Sequence, residues 1–426
     1  MKKYTPHNIF AWYRKHQGAI ILFFLFLVHS FFSVYGFESR HGFEWDQVDN
    51  AWAAKNIIVD RNFPLVGMVA KQNSGFYIGP LYYYYVAIFY FLTNLDPTAS
   101  FYIATVTSGI SFFVLYYFIK KLFDSSVALV SVFIYSISSF IIVADKVQWP
   151  INFLAVISII IFYLLYSILL GREKYIVWLG VVLGLSWQLN FTSIFFFIIS
   201  FFSIPFFPRT KKTLLYFLFA LPLLVLFFIP NIIYDALHKG TSSRHLTTYL
   251  NEYYHGFHLT RVVQLAKDAF IEFAAIFDNF YIKQLRYVFL PVFVLVFLRD
   301  SFARQRLIFV YLVVLWFVVP WAVFSVYKGE ISNYYFTLTR PITVMMLAYI
   351  TVWIYRQKYF IARLGVVCFW SFFCVVNIFQ FLKPMHHSLA YHREQVEEKI
   401  NRGQVVEFAP GDPEAYIYYA VDYGNK

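Results

Sequence analysis

The sequence predicts an all-α polytopic membrane protein, a bundle of about 11 transmembrane helices with interfacial helices in the first outer loop. Three observations predict this fold class: 60% of the 426 residues are hydrophobic, only 14% are charged, and the apolar residues occur in long blocks. Blocks of about 20 residues are long enough to cross a bilayer, whereas a soluble domain carries about a quarter charged residues. The composition therefore excludes a soluble globular domain.

The formal net charge of +12 could suggest a nucleic-acid partner. However, the lysines and arginines occur in short groups between the apolar blocks, as the positive-inside rule predicts for cytoplasmic loops. No basic stripe interleaved with exposed aromatic residues is separable from the spans. We therefore expect membrane lipids, and no nucleic acid, among the partners of the chain.

The first apolar block, 18–37, sets the orientation of the protein. Basic residues precede it, and it is too long for the apolar part of a signal peptide. We therefore expect an uncleaved first span with a cytoplasmic N-terminus. The first outer loop, 38–97, follows, and its segment 80–93 opens with four consecutive tyrosines, Tyr82 to Tyr85. Since tyrosine favours the headgroup level of a membrane, this segment is predicted to be an interfacial helix.

The positions of the basic groups favour this orientation. It places every compact group of lysines and arginines on the cytoplasmic side, whereas a span at 80–93 would put Lys120 and Lys121 outside. The spans after the first are predicted at 98–119, 125–143, 151–170, 175–189, 193–207, 214–233, 287–298, 307–326, 341–355 and 364–381.

The domain organisation follows from these spans. Residues 1–381 form one transmembrane domain, with a long outer loop at 234–286. Residues 382–426 form a short extracytoplasmic tail, which is too short for a domain of its own and contains turn-forming glycine and prolines. We expect the protein in the inner (plasma) membrane, with the outer loops and the C-terminus extracytoplasmic.

The first candidate for chemistry is the acidic segment just beyond the first span, which contains Asp46, Gln47 and Asp49. A carboxylate beside a cavity at the membrane interface can act as a general base and accept a proton from an attacking hydroxyl or amine. The alternative interpretation is that these acidic residues are merely solvated. Spacing alone leaves both open.

Three cations in outer loops are candidates for binding a phosphate. Lys71 lies in a loop of small residues, where it could act as a point charge, and Arg340 could offer a fork of donors. Lys146 follows Asp145 in a short loop that also carries Trp149. Each cation also has an alternative interpretation. Lys71 can belong to a simple turn, and Lys146 can form a surface ion pair with Asp145 that contributes little. Arg340 can extend its side chain to the lipid headgroups.

Other motifs are absent or weak. His255 and His258 are spaced for one helical face, but no third ligand has suitable spacing, so we expect no zinc site. The sequence contains no Walker A loop, no dinucleotide fingerprint and no nucleophile elbow. We therefore do not expect an ATP-driven machine.

Taken in order, these residues resemble the GT-C superfamily of membrane glycosyltransferases, in particular bacterial enzymes similar to protein O-mannosyltransferases and to the aminoarabinose transferase of lipid A. Many such members begin with one helix, which is followed by an outer loop with an Asp-Gln or Asp-Glu pair. A Ser-Gly pair and a Gly-Pro-Leu-Tyr-Tyr-Tyr stretch come next. Several also have a basic residue three positions before the tryptophan of a Trp-Asn-Pro motif in the second outer loop. The matching residues here are Asp46-Gln47, Leu65-Val66-Gly67, Ser74-Gly75, Gly79 to Tyr84, Lys146 with Trp149, and Tyr334 to Pro341.

The resemblance implies an inverting glycosyltransferase that moves a sugar from a polyprenyl-phosphate donor to an acceptor lipid, glycan or protein at the outer face. It implies that Asp46 activates the acceptor, that cations stabilise the departing lipid phosphate, and that neither a metal nor another cofactor is needed. The implied phosphate-binding residues are Lys71, Lys146 and Arg340; the implied lining residues are Gln47, Asp49, Asp145, Trp149, Tyr82, Tyr334 and Tyr335.

The chain departs from the family pattern at two positions. Gln47 stands where protein mannosyltransferases have glutamate, which weakens any specific assignment of protein O-mannosylation. Pro150 stands where several relatives have asparagine after the tryptophan. These departures leave the acceptor open.

Two other functions are compatible with a many-helix protein. A transporter or flippase for lipid-linked sugars usually carries ionisable residues within its spans, whereas the spans predicted here are nearly free of charge. A polymerase or ligase of the O-antigen type would use the long loop 234–286. Those proteins lack the early Asp-Gln followed by Gly-Pro-Leu-Tyr-Tyr, so the sequence favours the glycosyltransferase.

Overall fold

The computed structural model describes residues 6–70, 74–254, 256–265, 276, 285–299, 303–329, 331–382, 387–403 and 408–422. These residues are mostly helical, and three isolated antiparallel bridges join extended segments. The helices are α1 (Pro6–Val34), α2 (Trp45–Ile58), α3 (Leu81–Leu92), α4 (Ala99–Leu122), α5 (Ser125–Ile137), α6 (Ser139–Asp145), α7 (Asn152–Leu169), α8 (Tyr175–Trp187), α9 (Ile194–Ser203), α10 (Lys211–Leu226), α11 (Ile229–Leu237), α12 (Thr241–Tyr253), α13 (Leu285–Leu298), α14 (Arg304–Ser325), α15 (Arg340–Tyr355), α16 (Phe360–Phe381) and α17 (Leu389–Asn401).

The described residues contain 6 helical segments long and apolar enough to cross a bilayer, or up to 8 if each of two bent pairs is one span. The six are His16–Val34 within α1, then α4, α7, α14, Tyr334–Tyr355 and α16. The shorter apolar helices include α3, α8 and part of α13. The helical, membrane-spanning fold is therefore confirmed, whereas the number of eleven spans stays a prediction.

The segment expected as one straight span at 125–143 is broken. Its two parts, α5 and α6, meet at an angle of 70°, because Ser138 adopts an extended conformation between them. The side-chain oxygen of Asn377 accepts hydrogen bonds from the Ser139 amide (2.7 Å) and the Ser139 hydroxyl (2.8 Å). Asn377 thus replaces the helical partner that the Ser139 amide loses at the break.

The span expected at 214–233 is also bent. It begins earlier, at Lys211, and α10 and α11 meet at an angle of 49°. Pro230 is the second residue of α11 and has no amide hydrogen to donate to the carbonyl of Leu226, four residues earlier. The proline therefore explains the bend between α10 and α11.

Two buried hydrogen bonds connect α14, α7 and the segment before α15. The indole of Trp316 in α14 donates to the Ser158 hydroxyl of α7 (2.7 Å), which donates to the carbonyl of Leu338 (2.5 Å). Leu338 belongs to a tight helical segment, Asn333–Thr339, that leads into α15. The contact therefore fixes this segment, which carries Tyr334 and Tyr335, to the centre of the bundle.

A polar cluster links α1, α4, α5 and α6 within the bundle. The Ser108 hydroxyl contacts His29 Nε2 (3.1 Å) and donates to Asp145 Oδ2 (3.0 Å), and the Tyr135 hydroxyl also donates to Asp145. Asp145 is expected from the sequence in the loop that follows the span predicted at 125–143, but it is the last residue of α6 and takes part in this cluster. Partners from neighbouring helices compensate for the cost of placing these groups in the bundle.

The described part of the tail folds back onto the first outer loop. The Leu389 amide donates to the carbonyl of His41 (3.0 Å), and Arg393 of α17 contacts both carboxylate oxygens of Asp96 at 2.9 Å. Tyr416 is fully buried and donates to the carbonyl of Leu95 (2.9 Å). The tail and the first outer loop therefore form one packed outer layer.

Candidate active site

The first turn of α2 is fixed by a reciprocal cap. The Glu44 side chain accepts from the Gln47 amide, and Gln47 Oε1 accepts from the Glu44 amide (2.9 Å). The buried Gln47 side chain also donates to the carbonyl of Gln148 (2.8 Å). The cap therefore joins the helix that carries Asp46 to the segment that precedes Trp149. A helix N-terminus is also a favourable position for a carboxylate.

Asp46 lies at the wall of a cavity of about 320 Å³, which we call the Asp46 cavity. Six separate stretches of the chain meet there: the start of α2, the segment 68–70, residue 78, the segment 149–151, the turn 190–191, and residues 332–335. The lining residues are Asp46, Met68, Val69, Ala70, Ile78, Trp149, Pro150, Ile151, Asn190, Phe191, Ser332, Tyr334 and Tyr335.

Trp149 contacts the half-buried Asp46 directly. Its indole N–H donates a hydrogen bond to Asp46 Oδ2, and its ring lies against that of Tyr334, with 4.8 Å between centroids. Tyr334 in turn contacts Tyr335 edge-on, at 4.5 Å. With Phe191, the cavity therefore combines one carboxylate with four aromatic side chains.

The surroundings of Asp46 shift its acidity. Burial raises the pKa of the Asp46 carboxyl above its usual range, the hydrogen bond from Trp149 opposes this shift, and the negative charges of Asp49 and Glu44 raise the pKa further. A carboxylate with a raised pKa is a stronger base than an ordinary surface aspartate. Asp46 is therefore suited to accepting a proton.

A two-stranded ribbon, formed by segments 67–70 and 74–78, makes one wall. Its backbone bonds run from the Gly67 amide to the Ile78 carbonyl (2.9 Å) and from the Ala70 amide to the Phe76 carbonyl (3.0 Å). A Cβ at Gly67 would lie 2.3 Å from the carbonyl oxygen of Gly79, so only glycine fits there. The glycine of the Leu-Val-Gly motif therefore serves close packing.

The glycine of the Gly-Pro-Leu motif also serves packing. A Cβ at Gly79 would lie 2.1 Å from the side chain of Gln188. Gln188 Oε1 accepts from the Leu81 amide (3.2 Å), and its Nε2 donates to the carbonyl of Phe227. The glutamine therefore joins the start of α3 to the turn between α8 and α9 and to the end of α10.

The structure brings four of the predicted site residues to the cavity: Asp46, Trp149, Tyr334 and Tyr335. Gln47 and Tyr82 lie behind its wall. Both are buried, and they are linked through Gln148, whose Nε2 donates to the Tyr82 hydroxyl (3.0 Å). These two residues support the cavity without lining it.

Asp49 and Asp145 do not line the cavity. Asp49 lies one helical turn beyond Asp46 and accepts a hydrogen bond from the Tyr83 hydroxyl (2.6 Å). Asp145 lines a separate small cavity that it shares with Tyr135 and Arg340. The sequence correctly places these carboxylates in the same region, but not in the same site.

Two of the predicted phosphate-binding cations, Lys146 and Arg340, do not line the Asp46 cavity. The buried Lys146 side chain donates to the carbonyl of Tyr35 beyond the end of α1, and its pKa is lowered to about 7 by burial and by the positive charge of Arg40. The end of a helix favours a cation, which explains why Lys146 points there. Arg340 lies 4.9 Å from the centre of the Phe140 ring.

Lys71 follows Ala70, a lining residue, but lies outside the described residues. The described part of the chain contains no group of three or more His, Cys, Asp or Glu side chains arranged for a metal ion. The expectation that the site needs no metal stays a prediction.

Sequence reasoning missed several lining residues. Met68 and Ile78 come from the ribbon, Asn190 and Phe191 from the turn between α8 and α9, and Ser332 from the approach to α15. One signal was available: the predicted topology places the turn at Asn190 on the same outer side as Asp46. The apolar residues carry no signal that distinguishes them from the core.

The comparisons with known proteins concern the fold and the sequence of residues 78–234. Residues 78–234 match the family model described as dolichyl-phosphate-mannose-protein mannosyltransferase. The matched part begins at the ribbon and includes Trp149 and Asn190, whereas Asp46 precedes it. A search of curated protein sequences finds no match to the chain.

Solved structures share the fold over nearly the whole chain. ArnT from Cupriavidus metallidurans bound to undecaprenyl phosphate is similar with a TM-score of 0.54 and 11% identity, over 95% of this chain and 74% of ArnT. The Archaeoglobus fulgidus oligosaccharyltransferase in complex with Zn and sulfate gives 0.57 and 13% over 94% of this chain. The same organism's AglB, with an inhibitory peptide and a dolichol-phosphate, gives 0.53 and 12% over 96%.

The chain spans 57% and 60% of the two oligosaccharyltransferase chains, so it is considerably shorter than they are. At these identities the solved structures establish the fold. The chain therefore shares its fold with these membrane transferases, and its residues 78–234 match the mannosyltransferase family model.

Proposed function

We propose that the protein is an inverting glycosyltransferase that moves a sugar from a polyprenyl-phosphate donor to an acceptor lipid, glycan or protein at the outer face of the membrane. The observation that carries this proposal is the position of Asp46, a half-buried carboxylate held by Trp149 at the wall of an aromatic cavity. ArnT and AglB, which share the fold, have been solved with undecaprenyl phosphate and with a dolichol-phosphate.

In the proposed reaction Asp46 is the general base. As the acceptor oxygen or nitrogen attacks the anomeric carbon, its proton passes to the Asp46 carboxylate. The bond between the anomeric carbon and the phosphate oxygen breaks on the opposite side, and the lipid phosphate leaves with the electron pair. Attack opposite the leaving group inverts the anomeric carbon. The Trp149 bond to Oδ2 orients the carboxylate so that Oδ1 can face the acceptor.

The aromatic wall is suited to a sugar. Trp149, Tyr334 and Tyr335 offer ring faces for the apolar side of a pyranose or furanose ring, and Asn190 and Ser332 offer polar atoms for its hydroxyls. We therefore propose that the donor sugar lies between Asp46 and these rings. The identity of the sugar is not specified by these contacts.

An apolar groove offers a place for the isoprenoid chain. It has a volume of about 470 Å³ and lies between α8, α9 and α10, with an almost wholly apolar surface. Phe197, in the groove, is six residues beyond Phe191 of the Asp46 cavity, or about 9 Å at the helical rise of 1.5 Å per residue. We propose that the donor's chain lies in this groove, with its phosphate toward Asp46.

The proposed roles of the cations change with their positions. Lys71 remains a proposed phosphate partner because it adjoins Ala70 in the cavity wall. Lys146 and Arg340 contact other parts of the bundle, so we now propose that they position the segments carrying Trp149 and Tyr334.

The proposal is tested by comparing envelope glycans and lipids, by mass spectrometry, in cells with and without the gene. We expect one glycan or lipid to lack a single sugar when the gene is deleted. The purified protein should add that sugar back from a polyprenyl-phosphate sugar donor. Unchanged glycans, together with no transfer from any polyprenyl-phosphate sugar, would contradict it.

One observation favours transport as a second function. The cluster of His29, Ser108 and Asp145 places ionisable groups among the spans, as transporters do. A transporter would move a fluorescent lipid-linked sugar between vesicle leaflets. An Asp145→Asn variant should then lose that movement, whereas a glycosyltransferase shows none.

A further inference from the structure

We infer that Asn190 binds the phosphate group of the donor lipid; this inference rests on the proposed function. Asn190 lies in the turn between α8 and α9, and it carries the only side-chain amide among the described residues that line the Asp46 cavity. The residue is half-buried, as expected for a side chain in a cavity wall.

The orientation of the Asn190 amide is set by a neighbouring residue. Its Oδ1 atom accepts hydrogen bonds from the backbone amide of Thr192 (2.9 Å) and from the Thr192 hydroxyl (2.9 Å). Because a backbone amide can only donate, the side-chain atom that faces it must be the oxygen and not the nitrogen. Nδ2 donates to no described residue and is not buried. Its two hydrogens therefore remain available for a bound molecule.

The turn that carries Asn190 is fixed from two sides. Gln188, two residues earlier, accepts a hydrogen bond from the Leu81 amide (3.2 Å) and so joins the turn to the start of α3. Phe191, the next residue, contacts Phe76 of the ribbon edge-on, with 5.1 Å between the ring centroids. A donor that is held in place before the substrate arrives stabilises developing charge without further reorganisation. Nδ2 is therefore a preorganised donor.

The phosphate must lie in the same cavity as the sugar, because a single oxygen joins it to the anomeric carbon that is attacked beside Asp46. The described lining of this cavity contains no lysine, arginine or histidine. The indole N–H of Trp149 is already bonded to Asp46. The other side-chain donors of the described wall are the amide of Asn190 and the hydroxyls of Ser332, Tyr334 and Tyr335.

Asn190 differs from these hydroxyls in its position relative to the apolar groove. It joins α8 to α9, two of the three helices that form the groove in which we propose that the isoprenoid chain lies. Leu183 and Phe197 line that groove, and each is seven residues from position 190, or about 10 Å at the helical rise of 1.5 Å per residue. The segment before α15, which carries the hydroxyls, contributes no described residue to the groove. Since the phosphate connects the sugar to the chain, it lies nearest to Asn190.

A side-chain amide also suits the chemistry of this position. A hydrogen bond from an N–H group to an ionised phosphate is stronger than one between neutral groups. A cation at the same place would favour the charged form of Asp46 and make it a weaker base, whereas a neutral amide has less effect on its pKa. Because Nδ2 carries two hydrogens, it can donate to a phosphate oxygen and to a sugar hydroxyl at once.

The test measures binding of sugar-free polyprenyl phosphate to the full-length protein in lipid nanodiscs, together with the thermal midpoint. The variants are Asn190→Asp and Asn190→Ser. Both keep an oxygen that can cap the turn, but the first replaces the N–H group with an oxygen, and the second is too short to reach the position of Nδ2. We expect about tenfold weaker binding in both, as for loss of a hydrogen bond to a charged group, with thermal midpoints near that of the wild type.

Two controls accompany these variants. Asn251→Asp makes the same chemical change at an exposed position of α12. Thr192→Val removes one of the two groups that Oδ1 accepts from, but it leaves the amide of Asn190 in place. Both controls should bind polyprenyl phosphate nearly as well as the wild type.

The outcomes separate a phosphate partner from other roles of Asn190. Binding at the wild-type level in both variants would overturn the inference, and a partner that is only a sugar hydroxyl predicts this result because the ligand carries no sugar. A loss confined to Asn190→Asp would also overturn it, since the added negative charge alone explains that loss.

The proposed function can fail separately. A protein that binds polyprenyl phosphate through Asn190 but transfers no sugar would retain this inference and lose the proposed function. A protein that transfers sugar, but binds polyprenyl phosphate equally well without the Asn190 amide, would retain the proposed function and lose this inference.

Discussion

The indole N–H of Trp149 donates a hydrogen bond to the carboxylate of Asp46, although the two residues lie 103 positions apart in the chain. This bond joins the first outer loop to the turn between α6 and α7. It orients the carboxylate and favours its charged form, in opposition to the effect of burial. The proposed base and its orienting residue therefore come from two separate outer loops.

Replacing Trp149 with phenylalanine should lower the rate of transfer and change its dependence on pH. Asp46 acts as a base only when it is deprotonated, so activity falls as pH falls through its pKa. Loss of the indole N–H raises that pKa further, so the acid limb of kcat/KM should move to higher pH. The loss of a hydrogen bond to a charged group also predicts about tenfold slower transfer near neutral pH.

A matched control is Trp187→Phe, which removes an indole from the outer end of α8, outside the lining of the Asp46 cavity. Its acid limb should coincide with that of the wild type. If Trp149→Phe shows the same acid limb as this control, the hydrogen bond does not govern the ionisation of the base.

The tail should stabilise the layer that carries Asp46. Arg393 of α17 binds Asp96 with two contacts of 2.9 Å, and both side chains are less than a third exposed, at 23% and 31%. We expect Arg393→Ala to lower the free energy of unfolding by about 1–2 kcal/mol, in the range of charged hydrogen bonds. The measurement is the thermal midpoint in detergent. The control is Arg402→Ala, whose guanidinium contacts the exposed Glu398 of α17.

The same contact predicts a dependence of stability on pH. Burial disfavours ionisation of Asp96, but the amide of Thr98 and the guanidinium of Arg393 together lower its pKa below the usual value. A lowered pKa in the folded state means that the stabilisation is present above the ordinary aspartate pKa of about 4 and is lost as pH falls further. Equal acid sensitivity in the wild type and in Asp96→Asn would contradict this account.

Gly79→Ala should impair the site although it adds one methyl group. The new Cβ would lie 2.1 Å from the Gln188 side chain, which holds the Leu81 amide and the end of α10. We expect at least a tenfold loss of transfer, since a small displacement of a positioning group can cost about 100-fold. Gly109→Ala is the control, because no other side chain lies within 4 Å of its Cβ.

The orientation of the bundle predicts that Lys120 and Lys121, at the end of α4, lie in the cytoplasm. A cysteine at position 120, in a variant without Cys368 and Cys374, should react with a thiol reagent only after the membrane is made permeable. Reaction in intact cells would reverse the orientation of α4 and place the Asp46 cavity on the wrong side for an outer-leaflet substrate.

The sequence predicts much of the fold because its apolar blocks and basic groups report directly on the bilayer. It also identifies Asp46, Trp149, Tyr334 and Tyr335 correctly as neighbours, because all four lie in loops on one predicted side. Their convergence depends only on the topology, which the charge pattern indicates.

The sequence does not indicate the direction in which the loop cations point. Lys146 lies in the turn before α7 and Arg340 is the first residue of α15, yet Lys146 donates to the carbonyl of Tyr35 and Arg340 faces Asp145 and Phe140. The break at Ser138 is equally hidden, because it depends on Asn377, 238 positions away. Such contacts arise from tertiary packing, which hydropathy does not report.

The most direct test of the central claim is the rate of sugar transfer by the purified Asp46→Asn variant. The control is Asp60→Asn, because Asp60 is an exposed carboxylate just beyond the other end of α2. With a polyprenyl-phosphate sugar that the wild type uses, we expect Asp46→Asn to be about 10²–10⁴-fold slower, as for loss of a general base, and Asp60→Asn to match the wild type. Transfer by Asp46→Asn at the wild-type rate would show that this carboxylate takes no part in the reaction.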